Sequence, residues 1–317
     1  MMFALAIIPL LACAALAGDT GLLYWEKAQL QNGADAGAIA VASDCAKHPG
    51  LCEGRAETLA TSIAGENAND GTSVAAIDAI TVNAGSGSVK VDASSPSGDG
   101  VEHPFASVFF PQDATTLQAT ATAAWGTPVR GTTKLALTIA QCEFVDLPPQ
   151  DADAPNPTRT WLLINNGGSG EPCADGSPGG FGWLDGSGCS ATISINSTVG
   201  GEVGVQPNPN KNGCSSDVIE QTLCQTVLIP LYASSGGSGS HATFTISRFA
   251  AFKLTGVKTG GANSARYCGG SPLSPSLPNA GNSKGIQGYF VRYVELGEDF
   301  ELGNGPNGGL IIVRFSG

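Results

Sequence analysis

The sequence predicts an α+β protein in which an N-terminal transmembrane helix extends into an amphipathic helix and is followed by β-rich extracytoplasmic domains. Three observations support this fold class. Residues 1–18 contain no Asp, Glu, Lys or Arg, and an apolar stripe with helical spacing follows them. Beyond about residue 70, short β-branched runs alternate with Gly, Ser, Pro and Asn turns. Eight of the nine cysteines follow the apolar start, as is typical of disulfide-bonded proteins outside the cytoplasm.

The uncharged N-terminal run is long enough for a membrane anchor. Eighteen helical residues span about 27 Å, close to the roughly 30 Å hydrocarbon core of a bilayer. Tyr24 and Trp25 follow where aromatic side chains mark the lipid–water boundary, so we predict a single-pass anchor over residues 1–25. Cleavage after Ala15-Leu16-Ala17 and lipidation at Cys13 stay open as alternatives. No Lys or Arg precedes Lys27, which disfavours both and suggests that the natural start lies upstream of Met1.

The helix is expected to continue beyond the anchor with one apolar side. That side carries Leu23, Leu30, Ala34, Ala38 and Val41, at spacings of seven, four, four and three residues. Gly33 and Gly37 lie beside the stripe, four residues apart, and such a pair lets another helix approach closely. Helical character is expected to persist from residue 43 to about 70, where Asn69-Asp70-Gly71 stops it.

The segment GDTGLLYWEKAQLQNGADAGAIAVA resembles the N-terminal signature of TadE/TadG-like proteins of tight-adherence (Flp) pilus assembly. That signature is an apolar helix followed by Asp, an aromatic residue and LQNxADAxAxA. We expect a helix-packing signature at ten positions: Asp19, Tyr24, Leu30, Gln31, Asn32, Gly33, Ala34, Asp35, Gly37 and Ala38. The stretch HPFASVFFPQDATTLQATATAAWGTP is similar to a Phe-rich run and Thr/Ala strand of the same family.

The resemblance implies a membrane-anchored, non-enzymatic pilin-like or accessory protein in Flp pilus assembly and surface adhesion. Its expected place is the cytoplasmic membrane, with the C-terminal part extracytoplasmic or at the cell surface and with pilus or secretion-machinery proteins as partners. The alternative is a secreted or anchored cell-envelope module that binds glycan or protein through its β-rich half.

Four segments are expected along the chain. The anchor covers residues 1–25, a pilin-like helix with a small β unit covers 26–145, and a β-rich, disulfide-containing domain covers 160–317. Between them, residues 146–159 contain four prolines and predict a linker or loop, because proline removes a hydrogen-bond donor and fixes φ. In the small β unit, residues 74–94 predict a hairpin with a turn at Gly85.

The eight cysteines outside the anchor predict four disulfides. Proximity in sequence favours Cys45–Cys52, Cys173–Cys189 and Cys214–Cys224, which leaves Cys142–Cys268 as the long-range pair. Structural zinc is disfavoured because no two cysteines are closer than Cys45 and Cys52. The loop between Cys173 and Cys189 carries Phe181 and Trp183, which we consider as a candidate contact for a pilus subunit. The alternative is a plug in which Trp183 covers the core.

Composition argues against several other functions. The net charge of −12 and the lack of a Lys/Arg cluster argue against nucleic acid as a partner. The histidines His48, His103 and His241 lie far apart, and neither a G-x-S-x-G elbow nor a P-loop is present. We therefore expect no enzymatic activity, no metal site and no cofactor.

Overall fold

A computed structural model describes most of the chain. The described residues are 2–69, 71–83, 85–96, 100–108, 114–145, 147, 149–151, 154–164, 181–202, 209–259, 265–277, 283–291, 293–294, 300–306 and 310–316. Side chains at positions 2–6, 8, 106, 145, 164, 181, 293 and 294 also lie outside the description.

The described residues form helices and strands in the α+β arrangement that the sequence predicts, with a long N-terminal helix and a β-rich body. The helices are α1 Met2–Lys47, α2 Glu53–Asn67, α3 Gln141–Val145, α4 Pro209–Asn212 and α5 Ser216–Gln221. The first strands are β1 Val74–Asn83, β2 Ser86–Ser94, β3 Gln118–Thr133, β4 Leu137–Ala140, β5 Thr160–Ile164, β6 Phe181–Leu184, β7 Ala191–Ser194 and β8 Thr198–Glu202. The later strands are β9 Thr226–Gly236, β10 Ala242–Lys258, β11 Arg266–Tyr267, β12 Lys284–Val291, β13 Tyr293–Val294, β14 Phe300–Gly303 and β15 Ile311–Phe315.

Contacts divide the chain into two compact units. Unit 1 comprises Met1–Trp125 with Val313–Gly317, and unit 2 comprises Gly126–Ile312. The division therefore falls inside β3 and inside β15, whereas the sequence places a linker at residues 146–159.

The segment expected as a linker is bonded into unit 2. The backbone N–H of Gln150 donates to the carbonyl of Phe290 on β12 at 2.8 Å. The Gln150 side chain also donates to the Thr158 carbonyl at 2.8 Å and accepts from the Thr158 N–H at 2.7 Å. One glutamine thus closes the proline-rich segment into a loop and attaches it to a strand.

In unit 1, α1 and α2 pack closely because small residues face each other. A Cβ added at Gly33 would lie 3.2 Å from the Cα of Ala64, and one added at Gly37 would lie 3.5 Å from the carbonyl oxygen of Ala60. The disulfide Cys45–Cys52, the pair expected from sequence proximity, bridges the turn between the two helices.

The sheet of unit 1 lies against these helices. β2 pairs antiparallel with β1, forming the predicted hairpin, and with residues 118–125 of β3. The Ser316 N–H donates to the Thr122 carbonyl at 2.9 Å, which brings β15 to the other side of β3. The buried side chains of the unit are mainly small: Leu30, Ala34, Ala38, Val41, Ala56, Ala60, Ala64, Val89, Val91, Ala93, Ala119, Ala121 and Ala123. Small side chains permit close helix–sheet contact but bury little apolar area each.

In unit 2, five strands pair in a closed ring. β10 pairs with β8, β8 with β6, β6 with β4, β4 with β9, and β9 again with β10. The β4–β9 pair is parallel and the others are antiparallel. The second half of β10 also pairs with β12, and β12 pairs with β5. Each of these five strands thus pairs with two others of the ring.

The ring is tightly packed around aromatic side chains. Phe244 and Trp183 are among the largest fully buried side chains. Two glycines make room for the Phe244 ring. An added Cβ would lie 2.1 Å from the ring at Gly182 and 3.0 Å from it at Gly201. Any larger residue at Gly182 would force the ring or the strand to move.

The disulfides of unit 2 differ from the predicted pairs. The structure joins Cys189 to Cys214 and Cys224 to Cys268, so the predicted pairs Cys173–Cys189, Cys214–Cys224 and Cys142–Cys268 were wrong. Cys142 is also disulfide-bonded, and Cys173 lies outside the described residues.

The observed pairs follow from strand pairing. The Cys224 N–H donates to the Leu254 carbonyl and the Cys268 N–H to the Thr255 carbonyl, both at 2.8 Å. Adjacent residues of β10 therefore bring these two cysteines together, although 44 residues separate them in sequence. Cys189 is positioned similarly, since its N–H donates to the carbonyl of Asn212, two residues before Cys214, at 2.7 Å.

Candidate functional site

The first half of α1 carries large apolar side chains that the described part of the chain leaves exposed. Tyr24 is 79% exposed, and the other large exposed apolar side chains here are Ile7, Leu10, Leu11, Leu16, Leu22 and Trp25. Exposed apolar patches of this kind mark contact with lipid or protein. Across the residues that the structure describes, no helix is long and apolar enough to cross a membrane. The structure therefore does not show the span that the sequence predicts over residues 1–25.

The same part of the helix also holds a buried carboxylate. Asp19 is only 3% exposed, and its Oδ1 accepts a hydrogen bond from the backbone N–H of Phe105 at 3.2 Å. The Phe105 ring lies beside Gly18, where an added Cβ would be 3.2 Å from its Cδ2. Asp19 and Gly18 together therefore hold a distant segment against α1.

That segment, His103–Val108, is here called the 103–108 loop. Just before it, Val101 and Thr115 form an antiparallel bridge with N–H to carbonyl distances of 2.9 and 3.0 Å. His103 is buried, and its Nε2 lies 2.8 Å from the Thr115 hydroxyl. The loop is thus fixed at its base by Thr115 and at Phe105 by Asp19.

Polar residues of α1 bond to the sheet of unit 1. The Lys27 Nζ donates to the carbonyl of Gln118, and the Gln31 Nε2 donates to the carbonyl of Thr120 at 3.2 Å. Gln31 also donates to Asp35 Oδ1 at 2.9 Å. These bonds position α1 along the first residues of β3.

The resemblance signature therefore separates into two groups. Most of its members serve the fold of unit 1, because they are buried or bonded within it: Asp19, Leu30, Gln31, Gly33, Ala34, Asp35, Gly37 and Ala38. Tyr24 and Asn32 instead are exposed. With Ala28, which is also exposed, they lie at intervals of four residues along one face of α1.

The proposed contact at Trp183 is not on the surface. Trp183 is 1% exposed in β6, where its backbone pairs with Leu137 and Glu202. The burial of its side chain favours an interpretation in which Trp183 covers the core over one in which it is an exposed anchor. The Phe181 side chain and the preceding residues of the Cys173–Cys189 loop lie outside the described residues.

Charged groups in the described part of the chain form ion pairs. Lys211 Nζ lies 3.6 Å from Glu202 and 4.0 Å from Asp185, and Arg55 bonds Asp44 at 2.8 Å. Among the described residues, no group of three or more His, Cys, Asp or Glu side chains could hold a metal ion.

The sequence predicts the helix α1 and singles out the Phe-rich stretch, but it does not reveal that these two segments contact each other. A signal was present in the isolated Asp19, because a lone acidic residue in an apolar segment needs a partner when it is buried. Nothing in the local sequence, however, identifies Phe105 as the donor.

Comparison with known proteins gives one match. The family model of Flp pilus-assembly TadE/G-like proteins matches residues 1–44. No curated protein and no solved structure matches the chain. Over its N-terminal helix, the chain is therefore similar to the TadE/G-like proteins of Flp pilus assembly, the family that its residues resemble.

Proposed function

We propose that this chain is a membrane-anchored, non-enzymatic accessory or pilin-like protein of Flp pilus assembly and surface adhesion. The observation that carries the proposal is α1, which matches the TadE/G-like family and exposes an apolar face along its first half. An uncovered apolar face of this length requires lipid or another helix to cover it in water.

The anchor is assigned to the uncharged residues 1–18. Their helical length of about 27 Å suits the hydrocarbon core, and Tyr24 and Trp25 have the exposure expected of side chains at the lipid–water boundary. Membrane attachment rests on this sequence and on the exposed side chains together.

The disulfides support a location outside the cytoplasm for both units. Cys45–Cys52 lies in unit 1, and Cys189–Cys214 and Cys224–Cys268 lie in unit 2. Disulfides of this kind persist where thiols are oxidised, and they are rare in the cytosol. The chain would thus cross the cytoplasmic membrane once and place its body outside.

The exposed face at Tyr24, Ala28 and Asn32 is the proposed contact with the pilus machinery. The fold of unit 1 leaves these three side chains exposed, whereas it uses the buried side of the same helix turns for its own packing. Helix-on-helix contact through such a face is a standard way for α-helices to associate.

Deletion and complementation in the native host test the proposal. The wild-type gene should restore Flp pili to the deletion strain, as counted by electron microscopy. Ala28→Arg should not, whereas Thr58→Arg, which adds the same charge at an exposed position of α2, should restore pili. Normal pili in the deletion strain would contradict the proposal, and equal effects of the two arginines would contradict the assigned face.

A second experiment tests the anchor and its orientation. The native protein should stay in the membrane fraction after carbonate extraction, and protease added to cells with a permeabilised outer envelope should degrade both units. A soluble product that begins at Gly18 would instead favour cleavage after Ala17 and a secreted binding module.

A further inference from the structure

A charged residue such as Asp19 normally marks the end of the membrane-facing part of a helix. It is the only charged residue between positions 2 and 25 of the sequence. In the structure, however, its carboxylate is buried and bonded to the Phe105 N–H. The exposed surface of α1 is therefore free of charge as far as Trp25.

The loop held by Asp19 adds apolar surface beside this helix. Phe105 is 53% exposed and Val108 is 76% exposed. Residues 103–108 contain no Asp, Glu, Lys or Arg, and His103, the one titratable residue, is buried against Thr115. Single exposed apolar residues are ordinary, but these adjoin an exposed apolar helix face at Gly18.

The dimensions match the outer layer of a bilayer. Gly18 to Trp25 is about 10 Å along a helix, while the headgroup layer on each side of the hydrocarbon is about 5–8 Å thick. When residues 1–18 fill the hydrocarbon, Phe105 lies at its outer edge because its ring contacts Gly18. Tyr24 and Trp25 then reach the headgroups.

We propose that the 103–108 loop is a second membrane contact, in which Phe105 and Val108 insert into the outer edge of the bilayer and Asp19 holds the loop to the anchor. Lipid is the partner because residues 103–108 carry no Asp, Glu, Lys or Arg and Phe105 adjoins the uncharged run of the anchor at Gly18. The inference rests on the proposed anchor. A second attachment point beside the helix would restrict how unit 1 tilts and rotates on the membrane.

Tryptophan fluorescence in reconstituted vesicles tests this contact. The full chain is placed in phosphatidylcholine/phosphatidylglycerol vesicles whose acyl chains carry bromine near the headgroup end. The probe variant is Trp25→Phe with Phe105→Trp, and the control is Trp25→Phe with Leu51→Trp, because Leu51 is exposed near the far end of α1. The other tryptophans, Trp125, Trp161 and Trp183, are buried and give a constant background.

We expect the probe at position 105 to be quenched by brominated lipid several-fold more strongly than the control at position 51. Iodide in the water should quench the control and spare the probe. Val108→Trp in the Trp25→Phe background should behave like the probe, which guards against a local effect of the Phe105 substitution. Adding Asp19→Ala should remove most of the lipid quenching at position 105.

The outcomes separate the loop from the anchor. If the chain resists carbonate extraction but the probes at 105 and 108 are quenched only by iodide, the loop contact is wrong and the anchor stands. If the wild-type chain is extracted, the anchor fails and the loop contact fails with it. Unchanged lipid quenching after Asp19→Ala would overturn the role given to Asp19.

Discussion

The Cys224–Cys268 bridge gives a prediction that can be worked out from the structure. It closes a loop of 44 residues, whereas Cys189–Cys214 closes 25 and Cys45–Cys52 closes 7. A crosslink stabilises mainly by restricting the unfolded chain, and the loop-closure relation gives about 4.0, 3.5 and 2.4 kcal/mol for these three lengths. Replacing both Cys224 and Cys268 by Ala should therefore cost the most.

Guanidinium unfolding followed by tryptophan fluorescence measures this order. The reference carries Cys13→Ala, because Cys13 is free and exposed and could otherwise exchange with the bridges. The double variant at Cys224 and Cys268 should lower the free energy of unfolding of unit 2 by about 4 kcal/mol. The double variant at Cys45 and Cys52 should lower that of unit 1 by about 2.4 kcal/mol.

A non-reducing digest checks the pairing itself. Cleavage after Glu220 separates Cys214 from Cys224, and cleavage after Lys253 and Arg266 separates Cys224 from Cys268. We expect the peptides of Cys224 and Cys268 to be recovered joined. Recovery of Cys214 joined to Cys224 would refute the β10 geometry on which this reasoning depends.

Three further predictions concern α1 and the ring. Gly33→Leu should destabilise unit 1 by about 1–2 kcal/mol in thermal unfolding, because overpacking against α2 outweighs the gain in helix propensity. The control Gly21→Leu places the new side chain where no neighbour lies within 4 Å, so it should not destabilise the unit. Equal effects of the two variants would contradict the α1–α2 contact. Asp19→Ala should lower the free energy of unfolding by about 1–3 kcal/mol and speed hydrogen exchange at the Phe105 amide. Asp19→Asn keeps an acceptor and should change both little. Unaltered exchange in the Ala variant would exclude the hydrogen bond. Burial, with a smaller contribution from Glu143, raises the pKa of Tyr232 well above its usual value. Only the unfolded state then ionises this group above about pH 10, so stability should fall as pH rises beyond that point, and Tyr232→Phe should flatten the fall in an alkaline unfolding series.

Features set by local spacing could be predicted from the sequence. Leu30, Ala34 and Ala38 are buried as their helical period indicates, because one side of a long helix must face the sheet. The hairpin of β1 and β2 was also predictable, since Gly85 adopts a positive φ that its turn requires.

Features that depend on distant strands could not be predicted. Cys224 meets Cys268 only because β10 bonds to both flanking segments, and this pairing has no local signature. The plug and contact interpretations of Trp183 both stayed open because the sequence does not reveal that β6 pairs with β4 and β8. Likewise, the burial of Asp19 depends on a loop 86 residues further along the chain.

The bridge across β10 also limits how far the protein can be stretched. An unfolded chain pulled from its ends lengthens by at most about 3.4 Å per released residue. The Cys224–Cys268 bridge, which spans 44 residues, therefore shortens the fully extended chain by about 150 Å. The Cys189–Cys214 bridge, which spans 25 residues, shortens the extended chain by about another 85 Å. In single-molecule extension, removal of these two bridges should therefore lengthen the unfolded chain by these two amounts.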